Sequence, residues 1–476
     1  MSILSHLSKD SLIHFIGIGG IGMSGIAEIL HNMGYQLQGS NLGSNGNTER
    51  LESFGIKIFE DHQPYNSKGV SLVVKSTAIH DTNPEIVYCQ ENDIPIISRS
   101  EMLGELMSFK TSIAVSGTHG KTTTTSLIAA LFNKAEMNPT VINGGIINDR
   151  GTNAYIGTGE YLIAEADESD ATFIKVPSKI AVITNIDPEH LDFYGSYENL
   201  KESFRTFLRN LPVYGFGVLC IDHGEVRKLS TEITERKIIT YGVESEDADV
   251  YAHNIRTSAG GSIFDIKISQ KLSAEYQEIQ NVTLNIPGMH NIQNALAALV
   301  IGINLGFNKE VIAQGLSDFQ GVQRRFTKIA THNGVTIIDD YAHHPTEVKA
   351  TLQTARQSVK DTSGKINVIF QPHKYSRLQS FLDDFAESFR TADNVFIADV
   401  YPAGENPIEG IDKYALVSSI KSKGFKGNVS PLQSPNEAID ILEKICHPND
   451  LLLFLGAGDV TKWANELPEK IKQNGK

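Results

Sequence analysis

Cysteine is scarce in this chain: three residues in 476, Cys89, Cys220 and Cys446, lie far apart. That spacing excludes a disulfide framework and offers no zinc site, and it suits a reducing compartment. Long apolar runs are missing as well; none approaches the ~20 residues that cross a bilayer, so no membrane insertion is expected. Basic charge is in deficit, with 42 Lys and Arg against 56 Asp and Glu and a net charge of −14. This argues against wholesale binding of nucleic acid or an anionic membrane. It leaves room for an anionic nucleotide, which local N–H groups and a few cations can hold. Residues 1–14 lack the basic-then-apolar form of a secretion signal, so a cytoplasmic location is expected. There is no internal repeat and no low-complexity tract. The length suits roughly three domains.

What the chain does have is glycine in two informative places. The run Ser116-Gly117-Thr118-His119-Gly120-Lys121-Thr122-Thr123 follows an apolar stretch, Ile113 to Val115, and precedes a helix-favouring stretch, Leu127 to Ala135. Strand, glycine turn and helix form the geometry that cradles a polyphosphate: backbone N–H groups approach anionic oxygens, and the helix start adds unpaired donors. Lys121 would sit on the outer phosphates and the Thr122 hydroxyl would reach Mg²⁺. The strict phosphate-loop pattern wants glycine where Val115 stands, so the match is to a shorter Gly-Thr-x-Gly-Lys-Thr form. Thr122 to Thr125 are poor helix formers; their hydroxyls serve either phosphate and metal or ordinary N-capping.

The second glycine run is Gly17-Ile18-Gly19-Gly20-Ile21-Gly22. It follows the apolar Ile13 to Ile16 and opens the helical pattern Met23 to Asn32, the context of a dinucleotide fingerprint. The acid that such a fingerprint places at the end of the second strand is replaced by Asn41, so NAD binding is not supported. A diphosphate on this loop, or glycines used only for tight packing, both remain open.

Acids collect at a further strand end. Tyr161 to Ala164 reads as a buried strand running into Glu165-Ala166-Asp167-Glu168-Ser169-Asp170, which is either a Mg²⁺ site or a solvated acidic turn. The next strand, Ile180 to Thr184, leads to Asn185-Ile186-Asp187-Pro188-Glu189-His190. His290 and Asn294 lie near the start of a helix, where they either read a purine edge or cap the helix. Arg324-Arg325 sits at a proposed hinge. Asp339 to Pro345 and Gln371 to Arg377 each crowd titratable groups at a strand end.

Strands alternate with amphipathic stretches through most of the chain, with later strands at Val335 to Ile338, Asn367 to Phe370, Asn394 to Ala398 and Leu451 to Leu455. This is an α/β pattern with mainly parallel sheets. Short alternating runs, Ser262 to Ile268 and Val282 to Ile286, predict a small antiparallel sheet. The expected domains are 1–108, 109–322 and 323–476.

In this order, these segments resemble the Mur ligase family of ATP-dependent amide-forming enzymes over nearly the whole chain. The carriers are Gly17 to Ala27, Gly117 to Thr125, Glu165 to Asp170, Asn185 to His190, His290-Asn-x-x-Asn294, Arg324-Arg325-Phe326 and Asp339 to Glu347. The resemblance implies an N-terminal Rossmann-like UDP-sugar domain, a central phosphate-loop ATPase domain and a C-terminal Rossmann-like domain that brings the amino acid. It points to the branch that joins L-alanine to the lactyl carboxylate of UDP-N-acetylmuramate in peptidoglycan synthesis. A neighbouring branch attaches a tripeptide to the same UDP-sugar and is the alternative. ATP and Mg²⁺ are implied as cofactors, and a monomer or homodimer is expected.

Residue by residue, the resemblance implies UDP-substrate contacts at Gly17, Gly19, Gly20, Gly22, Ser40, Asn41 and Thr77. ATP would meet Gly117, Thr118, Gly120, Lys121, Thr122, Thr123, His290, Asn294, Arg325 and Asp340. Mg²⁺ would be held by Thr122, Glu165 and His190, and catalysis would rest on Lys121, Glu165, His190 and His343. Tyr341, His343, His373, Lys374 and Arg377 would line the L-alanine end. Three positions bear on these roles. Asn41 stands where this branch usually has Asp. Lys374 stands where Arg is usual, exchanging a forked contact for a point charge. Arg205 stands where several sister ligases carry a carbamylated lysine, which the alanine-adding branch lacks.

Overall fold

A computed structural model describes residues 3–4, 6–169, 171–275 and 277–474. Asp170, the last acid of the run above, lies outside them. The described residues pack as two units. The first comprises Met1–Asn254, Phe264–Thr283 and Ile292–Gln320; the second comprises Ile255–Ile263, Leu284–Asn291 and Gly321–Lys476.

The first unit opens with five parallel strands, β1 (Leu12–Ile16), β2 (Gln36–Ser40), β3 (Lys57–Phe59), β4 (Leu72–Lys75) and β5 (Ile96–Ser98), in the order β3-β2-β1-β4-β5. β1 is buried along nearly its whole length, as expected of a central parallel strand covered on both faces. Its glycine turn feeds the helix Ile21–Asn32.

The central sheet follows with β6 (Thr111–Ser116), β7 (Thr140–Ile147), β8 (Thr152–Tyr155), β9 (Tyr161–Glu165), β10 (Ile180–Ile183), β11 (Phe216–Cys220), β12 (Lys237–Gly242), β13 (Val250–Ser258), β14 (Gly261–Ile268) and β15 (Glu278–Leu284). The order is β15-β14-β13-β12-β11-β10-β6-β9-β7-β8. β6 lies between β9 and β10, parallel to both, and β7 and β8 form an antiparallel hairpin. Only two residues, Ala259 and Gly260, join β13 to β14, a link that antiparallel neighbours alone allow. The last of these strands starts at Glu278, four residues ahead of the alternating run that predicted it: Ile279 extends its buried face, while the exposed Gln280 and Asn281 interrupt the alternation.

The helix after the phosphate loop spans Lys121–Lys134 and so begins six residues earlier than its apolar pattern. The four threonines that oppose helix formation are inside it and buried. Packing and side-chain hydrogen bonds outweigh their small propensity deficit: Thr124 Oγ1 donates to Asn294 Oδ1 at 3.1 Å, and Ser126 Oγ to the Thr122 carbonyl at 2.8 Å.

The second unit contains β16 (Thr327–His332), β17 (Val335–Asp340), β18 (Ile366–Phe370), β19 (Asn394–Ile397), β20 (Asn428–Pro431) and β21 (Leu451–Leu455), ordered β16-β17-β21-β18-β19-β20. β16 is antiparallel to β17; the other pairings are parallel. β21 is Leu-Leu-Leu-Phe-Leu, buried at every position and flanked on both sides, so truncating one of its leucines would cost about 2–5 kcal/mol. No described helix is long and apolar enough to cross a membrane.

Candidate functional site

Three parallel strands of the first unit finish side by side. Glu165 closes β9 opposite Val115, and Ser116 closes β6 opposite Ile183 of β10. Ligands of open α/β sheets gather at such carboxyl ends. The Gly117–Gly120 turn is held from its neighbour: His119 N donates to Asn185 Oδ1 at 2.7 Å, while Thr184 Oγ1 and Asn185 Nδ2 donate to the His119 carbonyl at 2.6 and 3.0 Å. Gly120 caps the following helix at φ +83°, and a Cβ there would meet Asn294 Oδ1 at 2.6 Å. Left-handed backbone and close approach both require glycine.

Lys121 points into this pocket of polar groups. Its Nζ lies 2.7 Å from Glu168 Oε2 and donates to the carbonyls of Gly117 and Thr118 at 2.6 and 3.1 Å. Burial alone would lower the ammonium's pKa, but Glu168, Asp167 and Glu165 together hold it above its ordinary value. Burial pushes Glu168 up to about 7 against the pull of Lys121. Asp167, which burial would also raise, is instead drawn down to about 2 by Lys121 and Arg99. One ammonium among three carboxylates leaves acid in excess, an arrangement that favours a further cation.

The donors for such a cation are partly those of the sequence reading. Thr122 Oγ1 donates to Glu165 Oε2 at 2.9 Å, and Gly144 N donates to the same oxygen at 2.8 Å. His190, at φ +56°, turns its ring toward Glu168, and Glu168, Glu189 and His190 offer ligand atoms all within 4.8 Å of one another. Two carboxylates and an imidazole suit a hard divalent ion that keeps water or phosphate oxygens. Glu168 and Glu189 were not singled out as ligands from the sequence; for Glu168, four acids in six residues gave no way to tell which one turns inward. Asp187 lies between two imidazoles, 3.2 Å from His119 Nε2 and 3.3 Å from His223 Nε2. These outweigh burial and hold its carboxyl well below the usual range.

The first glycine loop is built differently. Gly17 N and Ile18 N donate to the Ser40 carbonyl at 2.8 and 3.0 Å, and Gly19 N donates to Asn41 Oδ1 at 3.2 Å. Ser40 is fully buried; its hydroxyl donates to Glu85 at 2.7 Å, so it supports the loop from beneath. Gly20 and Thr77 are exposed, and Gly22 is half-buried. The helix behind this loop is tied to the central sheet. Asn153 Nδ2 donates to the Ile21 carbonyl at 2.7 Å, and Arg50 donates to Asn153 Oδ1 at 2.9 Å and Thr152 Oγ1 at 3.1 Å. Asn153 Nδ2 also lies 3.4 Å from the Asn143 carbonyl, one residue before Gly144. A hydrogen-bonded path thus runs from the first loop through Asn153, Asn143 and Gly144 to Glu165 and Thr122.

In the second unit, Asp340 is buried and its carboxylate is occupied by Phe326 N, Ala342 N and Thr351 Oγ1, at 2.7, 2.8 and 3.2 Å. It fixes the backbone that carries Arg325 and Tyr341. The guanidiniums of Arg324 and Arg325 lie 4.5 and 5.4 Å from the Tyr341 ring centre, within cation–π range. His343 Nδ1 is 2.9 Å from the Tyr341 carbonyl and 3.2 Å from Glu347. Rings continue from Tyr341 to His343 (4.9 Å), to His373 (5.9 Å) and to Tyr401 (5.4 Å, stacked). His373 Nδ1 is buried with no hydrogen-bond partner among the described residues, and burial with nearby cations pushes its pKa down to about 3. Lys374 follows at φ +70°, and its N–H donates to the Tyr401 carbonyl at 2.9 Å. Arg377 stands one turn further on, in the helix Tyr375–Ser380. Tyr401 carried no signal in the sequence, being 28 residues from the histidine it stacks on. His290 is crowded by protein, and burial together with Arg325 pushes its pKa down to about 4. Arg205 is absorbed by three glutamates, Glu232, Glu198 and Glu202, at 2.7, 3.0 and 3.2 Å.

Comparison with known proteins supplies the context. Residues 12–111 match the model described as Mur ligase family, catalytic domain; 115–302 match the Mur ligase middle domain; and 324–458 match the Mur ligase, glutamate ligase domain. The UDP-N-acetylmuramate–L-alanine ligase of Rickettsia canadensis is 56% identical over 459 residues, covering 96% of each chain, and that of Rickettsia bellii is 54% identical over the same length. Among solved structures, a UDP-N-acetylmuramate–alanine ligase from Thermotoga maritima superposes with a TM-score of 0.82 at 30% identity over 98% of this chain and 99% of its own. A murein peptide ligase from Psychrobacter arcticus shares the fold, with a TM-score of 0.72 at 23% identity over 97% of this chain and 98% of its own.

Proposed function

The chain belongs to the Mur ligase family, and from that premise we propose how its residues join L-alanine to UDP-N-acetylmuramate at the expense of ATP, a step of peptidoglycan synthesis. The observation that carries the reading is Lys121 set among Glu165, Asp167 and Glu168 at the end of the strand that feeds the phosphate loop.

The lactyl carboxylate attacks the γ-phosphorus and ADP leaves; the alanine amine then attacks the acyl phosphate and phosphate leaves. Two anions must meet in the first step, so alignment and charge neutralisation supply the catalysis. Lys121 exchanges Glu168 for the outer phosphate oxygens, and the turn's N–H groups hold the chain of phosphates. Thr122, Glu168, Glu189 and His190 would hold Mg²⁺, with Glu165 orienting the Thr122 hydroxyl; the ion supplies charge neutralisation on the phosphates. Asn294 is placed beside the phosphate loop through Thr124, and His290 and Arg325 are assigned to the nucleotide. Asp340 acts on it indirectly by shaping the Arg325 backbone.

The ring ladder from Tyr341 to His373, with Lys374 and Arg377, is assigned to L-alanine. His373 Nδ1, with no partner among the described residues, supports that role: at neutral pH the ring stays uncharged and keeps one acceptor nitrogen, suited to an amine. We assign the glycine loop 17–22, with Asn41 and Thr77, to the UDP moiety, and take 1–108, 109–322 and 323–476 as the functional divisions. A cytoplasmic location follows from the proposed use of ATP and a UDP-sugar.

The test is phosphate release from ATP with UDP-N-acetylmuramate and a panel of L-alanine, glycine, L-serine and the tripeptide. L-Alanine should give the highest kcat/KM. Preference for the tripeptide would assign the chain to the other branch.

A further inference from the structure

We infer that Arg99 is a substrate-binding residue that takes the diphosphate of the UDP-linked substrate on the Gly17–Gly22 loop. The inference rests on the assignment of that loop to the UDP moiety.

The loop's own donors are only partly available. It contains no cation, and the N–H groups of Gly17, Ile18 and Gly19 are already given to Ser40 and Asn41. Lys75, at the end of β4, is paired with Asp81 at 2.6 Å. Arg99 is the first residue of the helix Arg99–Ser108, just past the end of β5. A helix start is the positive end of the dipole, an unfavourable place for a cation. The acid of that first turn, Glu101, accepts instead from Ser98 N and Oγ, both at 2.8 Å.

The Arg99 side chain runs along the glycine loop. A Cβ on Gly22 would come within 2.6 Å of Arg99 Nη1 and 3.2 Å of its Cδ, so glycine at this position clears the path of a guanidinium. The other end of the fork, Nη2, reaches Asp167 Oδ2 at 3.3 Å, longer than the ~2.7–2.9 Å of a close charged pair. The side chain keeps 24% exposure. Five donors in a rigid fork match phosphate oxygens two at a time, and the observed bond to Asp167 occupies one nitrogen. Arg99 thus lies between the glycine loop and the acids around Lys121.

The test measures binding to the full chain by calorimetry, with UDP-N-acetylmuramate, UDP, uridine and ATP as separate probes and thermal unfolding as a check on folding. Arg99→Gln should weaken UDP-N-acetylmuramate and UDP tenfold or more and leave uridine and ATP within twofold. Arg99→Lys, which keeps the charge and loses the fork, should fall between three- and tenfold, and it carries the test if Arg99→Gln fails to fold. Gly17→Ala separates the two claims, since it strains the loop at φ +79° without touching Arg99. If Gly17→Ala weakens the UDP-substrate and Arg99→Gln does not, the inference fails. If Gly17→Ala has no effect, the loop assignment itself is wrong. Equal losses for uridine and UDP would make Arg99 a structural support and also overturn the inference.

Discussion

The two glycine loops of the first unit make the same turn, strand to helix, and surround it with opposite chemistry. The loop at Gly17 is bordered by neutral amides and a serine carbonyl that take up the N–H groups of Gly17, Ile18 and Gly19. The loop at Gly117 carries its own lysine, faces three carboxylates and offers threonine hydroxyls. A phosphate that is only held needs shape and a borrowed cation. A phosphate that is transferred needs charge that can be rearranged, and an acid surplus holding the proposed divalent ion would serve that purpose.

Lys121→Ala should break the second loop and spare the first. Turnover is expected to fall by about 10²–10³-fold, the scale of losing one preorganised charge partner, while calorimetry finds UDP-N-acetylmuramate binding unchanged. Equal loss of both would erase the distinction between the loops. His190→Ala should raise the Mg²⁺ concentration needed for half-maximal turnover by roughly tenfold or more; an unchanged titration would remove His190 from the metal set. Asn153→Ala cuts the tie behind the first loop and leaves the Ile21 carbonyl and Arg50 without that partner, at a cost of about 1–3 kcal/mol, readable as a lowered denaturation midpoint.

The pH dependence sharpens the contrast from outside both loops. His290 titrates near 4 when folded, below its ordinary value of 6.5. Between those values the unfolded chain binds the extra proton, so this group makes stability rise with pH across the window and level off above it. His290→Gln should flatten that rise in unfolding curves taken from pH 4 to 7. Arg205→Ala should have the smallest effect, about 1 kcal/mol or less, because its three glutamate contacts are on the surface. A large loss of turnover in that variant would show a role that its contacts do not reveal.

Local pattern carried much of this architecture. β21 was readable to the residue, because an all-apolar run of five between turn signals has one comfortable place in a parallel sheet. The turn at Gly117 to Gly120 was readable because an apolar strand runs into glycines ahead of a helix-favouring stretch. The burial of the four threonines inside the helix that follows was not, since the partner of Thr124, Asn294, is supplied by distant chain. The same limit hid Asn153, Arg99, His223 and Tyr401. Each acts across contacts between residues 28 to 132 apart, and no periodicity encodes those. Spacing also could not rank the acids from Glu165 to Glu168: all sit at the same strand end, and only the backbone decides that Glu168 goes in and Asp167 stays partly out.

The asparagine tie has one more consequence. Since Asn153 fastens the Ile21 turn to strands that also carry Gly144 and Glu165, the loop proposed for the UDP moiety and the acids proposed to face ATP are tied to one sheet, like the jaws of a gauge. The sugar nucleotide then measures itself against the protein. An analogue with one phosphate fewer between uridine and sugar would seat its base and still leave its carboxylate short of the γ-phosphate, behaving as an inhibitor and not as a poor substrate.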